Sequence, residues 1–346
     1  MSPARAQSEA AEIPHPRETF ALYGHAEAER ALLDEYRSGR IAHAWLIGGP
    51  AGIGKATLAY RMARFVLAHP DPLAPAVRKA TTLDVPPDGQ VARRVAGRAH
   101  PDLLVLEREP DDKGKLRTVV TVDQVRRTVA FFGSTAGAGG WRVCVVDSAD
   151  ELQSPQGSNA LLKVLEEPPP RSLFLVVSHA PGRLLPTIRS RCRRLTLRPL
   201  DADDVVRAAA AALGEDADAA TLRQAAAAAD GSAARAIALS GGPQLALRDK
   251  VIDLLGQLPA TDPRALHALG DSLERADDGM FEIFIETAQG WLSGQLAGGR
   301  EPGRLARIAE AWDRLTVAAR DTDTYNLERK PLVFNVFGLL AEAARG

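Results

Sequence analysis

Gly48-Gly-Pro-Ala-Gly-Ile-Gly-Lys-Ala-Thr57 is the stretch on which the reading of this chain turns. From Gly49 through Gly54 and Lys55 it follows G-x-x-x-x-G-K-[ST], in which glycine amides cradle phosphates, the lysine reaches the terminal ones and the next hydroxyl holds magnesium. Position 56, where Ser or Thr belongs, is Ala56. The cradle and the lysine are present, and a methyl group stands in for the metal ligand. Thr57 lies one residue further, about 100° around a helix of 3.6 residues per turn, which is a poor position from which to replace it.

The flanks suit a phosphate loop. Ala44-Trp-Leu-Ile47 is a short apolar run entering it, and Thr57 to Ala68 carries Leu58, Met62, Phe65 and Val66 at helical spacing. Strand, glycine loop and helix in that order is the context the motif needs; a simple strand-to-helix turn is the plainer alternative. Further along, Val143-Cys-Val-Val146 ends in Asp147, and Leu173-Phe-Leu-Val-Val177 ends in Ser178. Such runs are buried parallel strands, joined by Leu103–Leu106 and Leu195–Leu197. Helices are expected over His25–Arg37, Val122–Phe132 and Ser158–Leu165. Strands alternating with helices predict an α/β domain with a parallel sheet covered on both faces. Residues 1–16 are expected to be a disordered tail, and 69–99, punctuated by five prolines, an irregular excursion. Beyond Pro199 the pattern is helical, with breaks near Gly214, Asp230-Gly231, Gly256–Pro263 and Gly298–Pro302.

Composition narrows the rest. The 346 residues carry a net charge of -1 with a quarter of them charged and 45% hydrophobic, an ordinary globular balance rather than a nucleic-acid coat. Two distant cysteines, Cys144 and Cys192, suit a reducing compartment and exclude a disulfide framework. Met1–Glu12 lacks the apolar core of a signal peptide, and no run approaches the ~20 apolar residues of a membrane span. A cytoplasmic protein with no membrane partner is expected.

Asp147 is placed to hold magnesium through water at the end of an apolar strand, yet the residue after it is Ser148 where a water-activating carboxylate would stand. Asp150 and Glu151 read as charges at a helix start or, alternatively, as displaced bases. Thr187-Ile-Arg-Ser-Arg-Cys-Arg-Arg194 holds four arginines in six residues. If extended, Arg189, Arg191 and Arg193 share one side, and the cluster reads equally as a solvated face or as an arginine reaching a neighbour's nucleotide.

Gly49–Lys55, Asn159-Ala-Leu-Leu-Lys-Val-Leu-Glu-Glu-Pro168 and Ser190-Arg-Cys192 together resemble the bacterial clamp-loader ATPase family, a branch of the AAA+ fold, over about residues 20–240. The resemblance implies a P-loop AAA+ α/β domain over 17–199, a small helical lid over 200–242 and an all-α oligomerising collar over 243–346. It implies nucleotide contacts from Gly49, Gly52, Gly54, Lys55, Thr57 and Asp147, with Ser178 at the sensor 1 position and Arg235 at the sensor 2 position. A strand-end cap and a surface helix arginine are the plainer readings of the last two. Arg191 matches the arginine finger that acts in trans. Ala56 and Ser148 depart from the hydrolysing gamma and tau members and select a stator-like member with no independent catalysis; an active gamma/tau-like ATPase is the alternative, and a DNA-binding surface over Arg189–Arg198 a third reading. The implied partners are gamma/tau and delta subunits in a hetero-oligomeric ring of the DNA polymerase III holoenzyme, with the sliding clamp and primed DNA met through the complex. No cofactor is required, ATP or ADP would be held without hydrolysis, and the four zinc-binding cysteines of many relatives have no counterpart in 69–100.

Overall fold

The structure, a computed structural model, describes residues 14–112, 114, 116–133, 140–153, 155–214, 218–297, 301–325 and 327–345. The chain divides into two compact units, Met1–Ile237 and Ala238–Gly346.

The first unit is built on five parallel strands: β1 (Ala44–Gly48), β2 (Leu103–Leu106), β3 (Arg142–Val146), β4 (Ser172–Ser178) and β5 (Arg193–Thr196), in the order β2-β3-β4-β1-β5. Every residue of β1, β3 and β4 is buried, which is why these strands read as unbroken apolar runs rather than alternations. Alternation survives in the packing. Trp45, Ile47, Val143, Val145, Leu173, Leu175 and Val177 enter one core layer, while Ala44, Leu46, Cys144, Val146, Phe174 and Val176 enter the other. The first layer is closed by α1 (Ala26–Arg37) and α2 (Lys55–Ala68), the second by α5 (Val122–Gly133), α6 (Gln156–Glu166) and α7 (Pro186–Arg191). β2, expected as a buried strand, lies at the sheet edge and is only half covered.

Three local expectations change. Residues 14–16, expected to belong to the disordered tail, pack onto the domain, with the His15 ring edge-on to Tyr60 at 6.0 Å; the rest of that expected tail, 1–13, lies outside the described residues. The 69–99 excursion contains two short helices, α3 (Pro75–Lys79) and α4 (Gln90–Ala96). It is tied down where Arg61 meets Asp84 at 2.6 Å and the Leu83 amide donates to Glu29 at 3.1 Å. Finally, Arg189 and Arg191 lie on the helical turn α7 and Arg193 on β5, so the three do not form one extended row. Pro186 at the first helical turn starts α7, where a missing amide costs nothing.

After β5 come α8 (Ala202–Leu213), α9 (Ala219–Ala228) and α10 (Ala233–Leu239). Asp201 and Asp218 cap α8 and α9, accepting from the Asp204 and Thr221 amides at 2.7 Å each. Most of the expected break near Gly214, the core of the glycine cluster after α5 and the turn at 298–300 lie outside the described residues.

The second unit consists of α11 (Pro243–Leu255), α12 (Pro263–Glu274), α13 (Asp278–Ala297), α14 (Pro302–Tyr325) and α15 (Arg329–Ala344). α15 packs against α12 and α14, and α13 against α11 and α14. Leu332, Val333, Val336, Phe337 and Leu340 carry its core side. Glu274 caps the start of α15, accepting from the Arg329 and Lys330 amides at 2.9 and 3.0 Å. No helix among the described residues is long and apolar enough to cross a membrane.

Candidate functional site

β1 sits between β4 and β5, and the chain leaves its carboxyl end directly into the glycine loop, the place where open parallel sheets present ligand sites. Gly49, Gly52 and Gly54 have φ of +149°, +72° and +98°. Side chains other than glycine rarely adopt these values, so the loop's glycines answer a backbone requirement. Gly52 is also crowded: a Cβ there would strike the Ser232 hydroxyl and lie 2.9 Å from the Ala234 methyl. The same close approach lets the Ala234 amide donate to the Gly52 carbonyl at 3.2 Å, joining the start of α10 to the loop.

Gly54 ends the loop and α2 begins at Lys55, so the first amides of a 14-residue helix face the site with the positive end of its dipole. Lys55 is 2% exposed and donates its Nζ to the Pro50 carbonyl. Burial lowers its pKa to about 8, against the opposing pull of Asp150 and Asp147.

A cavity of about 480 Å³ opens on the loop, lined by Gly52, Gly54, Lys55, Ala56, Thr57 and Asp147 on its polar side. Phe20, Leu22, Tyr23, Val177, Leu200 and Ile237 supply apolar walls, an arrangement suited to a ligand with a charged end and a flat apolar body. Thr57, Lys55 and the loop glycines therefore meet Asp147 around one space, while Gly49 lies behind it against the Leu197 backbone.

The remaining candidates fall elsewhere. Ser178 is fully buried at the end of β4, beside Gly48, and its hydroxyl donates to Asp150 Oδ1 at 2.9 Å. Asp150 also accepts from the His179 and Ala180 amides at 2.5 and 3.2 Å, so it closes the end of β4. Glu151, the other displaced carboxylate, pairs with Arg108 at 3.0 Å, and burial raises its pKa. Burial likewise pushes the Asp147 carboxyl above the usual range. Arg235, on α10 next to the cavity-lining Ala234, binds Asp230 at 2.9 Å. Arg191 ends α7 away from the cavity, with Nη2 on Glu166 at 2.7 Å and Nη1 on the Thr187 carbonyl at 3.0 Å.

Two site residues escaped the sequence reading. Arg64, 2% exposed on α2, donates to the Arg17 and Thr19 carbonyls at 2.8 and 2.7 Å and lies 4.3 Å over the Phe20 ring. Arg61 bonds Glu29 at 2.9 Å and also donates to the Phe20 carbonyl. Together they hold residues 17–20 as a cavity wall. The available signal was two arginines inside the apolar stretch Leu58–Val66, where a buried charge must be paired.

An interior β1 feeding a glycine loop, flanked by β4 and β5, with α8 lining the cavity and α10 joined to the loop through Ala234, defines a P-loop domain of AAA+ type. The family model described as "DNA polymerase III, delta subunit" matches residues 24–201, and the chain belongs to that family. The chain is 41% identical to DNA polymerase III subunit delta' of Pseudomonas aeruginosa over 151 residues, 44% of this chain and 42% of that protein. The same subunit of Escherichia coli is 34% identical over 168 residues, 49% of this chain and 46% of that one. DNA polymerase III subunit gamma/tau of Mycobacterium bovis is 32% identical over 166 residues, 47% of this chain and 25% of that one. The chain thus spans less than half the length of these curated relatives.

Proposed function

We propose that this chain is a stator of the delta′ type in a DNA polymerase III clamp loader. In this reading it forms a hetero-oligomeric ring with gamma/tau and delta subunits in the cytoplasm. The ring opens the sliding clamp and loads it on primed DNA, driven by ATP hydrolysed in the neighbouring subunits. Residues 200–242 serve as the lid of the P-loop domain and 243–346 as the collar.

The observation that carries the reading is the state of the hydrolytic groups. Ala56 offers no metal ligand, Ser148 no base, and the two spare carboxylates are occupied, Asp150 by three donors and Glu151 by Arg108. A site so equipped polarises no attacking water. Arg191, half-exposed and outside its own cavity, is the charge offered to a neighbour's γ-phosphate. Its partner Glu166 is half-exposed at the surface, so the ion pair is weak enough to exchange.

Two measurements test this. In a reconstituted loader, Arg191→Ala slows ATP turnover at the adjacent site while the ring stays assembled; unchanged DNA-stimulated turnover refutes the finger. Purified chain with magnesium and ATP shows no turnover. Sustained turnover that Lys55→Ala abolishes would establish the gamma/tau-like alternative instead.

A further inference from the structure

The loop has kept one half of a nucleotide site and lost the other. What remains is the half that meets a base and two phosphates: the positive-φ glycines, the start of α2, Lys55 and the apolar walls from Phe20, Leu22, Tyr23 and Ile237. What is lost is the half that meets a metal ion and a third phosphate. Magnesium keeps several waters and is held by one or two protein oxygens together with the phosphates. Here it would find the Ala56 methyl and, beside Lys55, the Asp147 carboxylate: Asp150 accepts three hydrogen bonds from the end of β4, and Glu18, which also lines the cavity, pairs with Arg17.

We propose that the Gly49–Thr57 loop binds a nucleoside diphosphate through its phosphates alone, without a divalent cation, and prefers it to the triphosphate. The preference follows from charge. Asp147 and Asp150 both act electrostatically on Lys55, so a third phosphate drawn to the lysine adds its charge beside two carboxylates with no metal between them. A diphosphate brings less negative charge toward those carboxylates and still reaches Lys55 and the first amides of α2. The inference rests on the non-hydrolysing reading of the same loop. The two fail separately: turnover of ATP defeats that reading, whereas binding that needs magnesium, without turnover, defeats only this one.

The test is calorimetric titration of the full chain with ADP and with ATP, in EDTA and in magnesium. ADP binds in EDTA, magnesium does not tighten it, and ATP in EDTA binds several-fold more weakly. Lys55→Ala weakens ADP about tenfold or more, the loss expected for one charged hydrogen bond to phosphate. Ala56→Ser returns the hydroxyl and makes binding tighten in magnesium. The proposal is overturned by absence of ADP binding in EDTA, by magnesium tightening the unsubstituted chain, or by ATP matching ADP in EDTA. An Ala56→Ser chain indifferent to magnesium overturns the assignment of the lost metal ligand to position 56.

Discussion

The Ser178 hydroxyl donates to the Asp150 carboxylate across 2.9 Å, joining the end of β4 to the short helical turn after β3. That bond removes the nearest spare carboxylate from the phosphate loop and turns it into a structural cap. With the His179 and Ala180 amides on the same side chain, Asp150 satisfies three donors at the mouth of the sheet.

Asp150→Ala therefore acts on stability. Leaving the buried Ser178 hydroxyl and two amides without their acceptor costs about 1–3 kcal/mol. Urea denaturation reads the loss. A chain of unchanged midpoint would show that water replaces the carboxylate fully.

Arg64→Met takes the donor from the Arg17 and Thr19 carbonyls and the cation from the Phe20 face. The expected loss is about 2–4 kcal/mol, concentrated in the segment that walls the cavity. Limited proteolysis around residues 17–24 registers it, with cleavage accelerated in the variant. Arg64→Lys recovers only part of the protection, because an ammonium lacks the fork that spans two carbonyls.

Lys55 carries a pH signature. Its pKa is lowered from 10.5 to about 8 by burial, so the unfolded chain holds more protons between those values. Stability therefore rises with pH from about 8 to 10.5, and the burden is constant below pH 8. Lys55→Met stabilises the chain at pH 7 by about 1–3 kcal/mol, with the advantage fading toward pH 10.5. Thermal unfolding across that range decides it, and a flat difference between the two chains contradicts the buried charge.

Gly52→Ala combines a φ of +72° with a clash on Ser232 and a 2.9 Å approach to Ala234. It costs about 1–3 kcal/mol and frees the Ala234 amide. Gly54→Ala shares the unfavourable φ, but its nearest neighbour is 3.6 Å away. Amide exchange at Ala234 rises in the first variant and stays near its original rate in the second.

Much of the fold was legible because a strand buried on both faces has no polar position. Val143–Val146 and Leu173–Val177 declare themselves as β3 and β4, and the glycine loop announces α2, which starts at Lys55, two residues before the expected Thr57. Leu103–Leu106 carried the same apolar signal and turned out to be an edge, since hydrophobicity reports burial without reporting which neighbour supplies it. Arg189 to Arg193 misled for a related reason. Alternation in sequence implies one face only if the backbone is extended, and Pro186 starts a helical turn there.

The sequence by itself determined what the Gly49–Thr57 loop lacks: Ala56 and Ser148 are missing oxygens, and no folding restores an atom the chain does not have. Only the tertiary structure decided whether other groups stand in. Asp150 and Glu151 are near enough in sequence to serve as bases, yet Ser178 and Arg108, 28 and 43 positions away from them, have claimed both. Hydrogen bonds between residues so distant depend on strand order and register, which side-chain identity does not encode locally. The loop's deficiency was written in two residues; its lack of a remedy required the sheet.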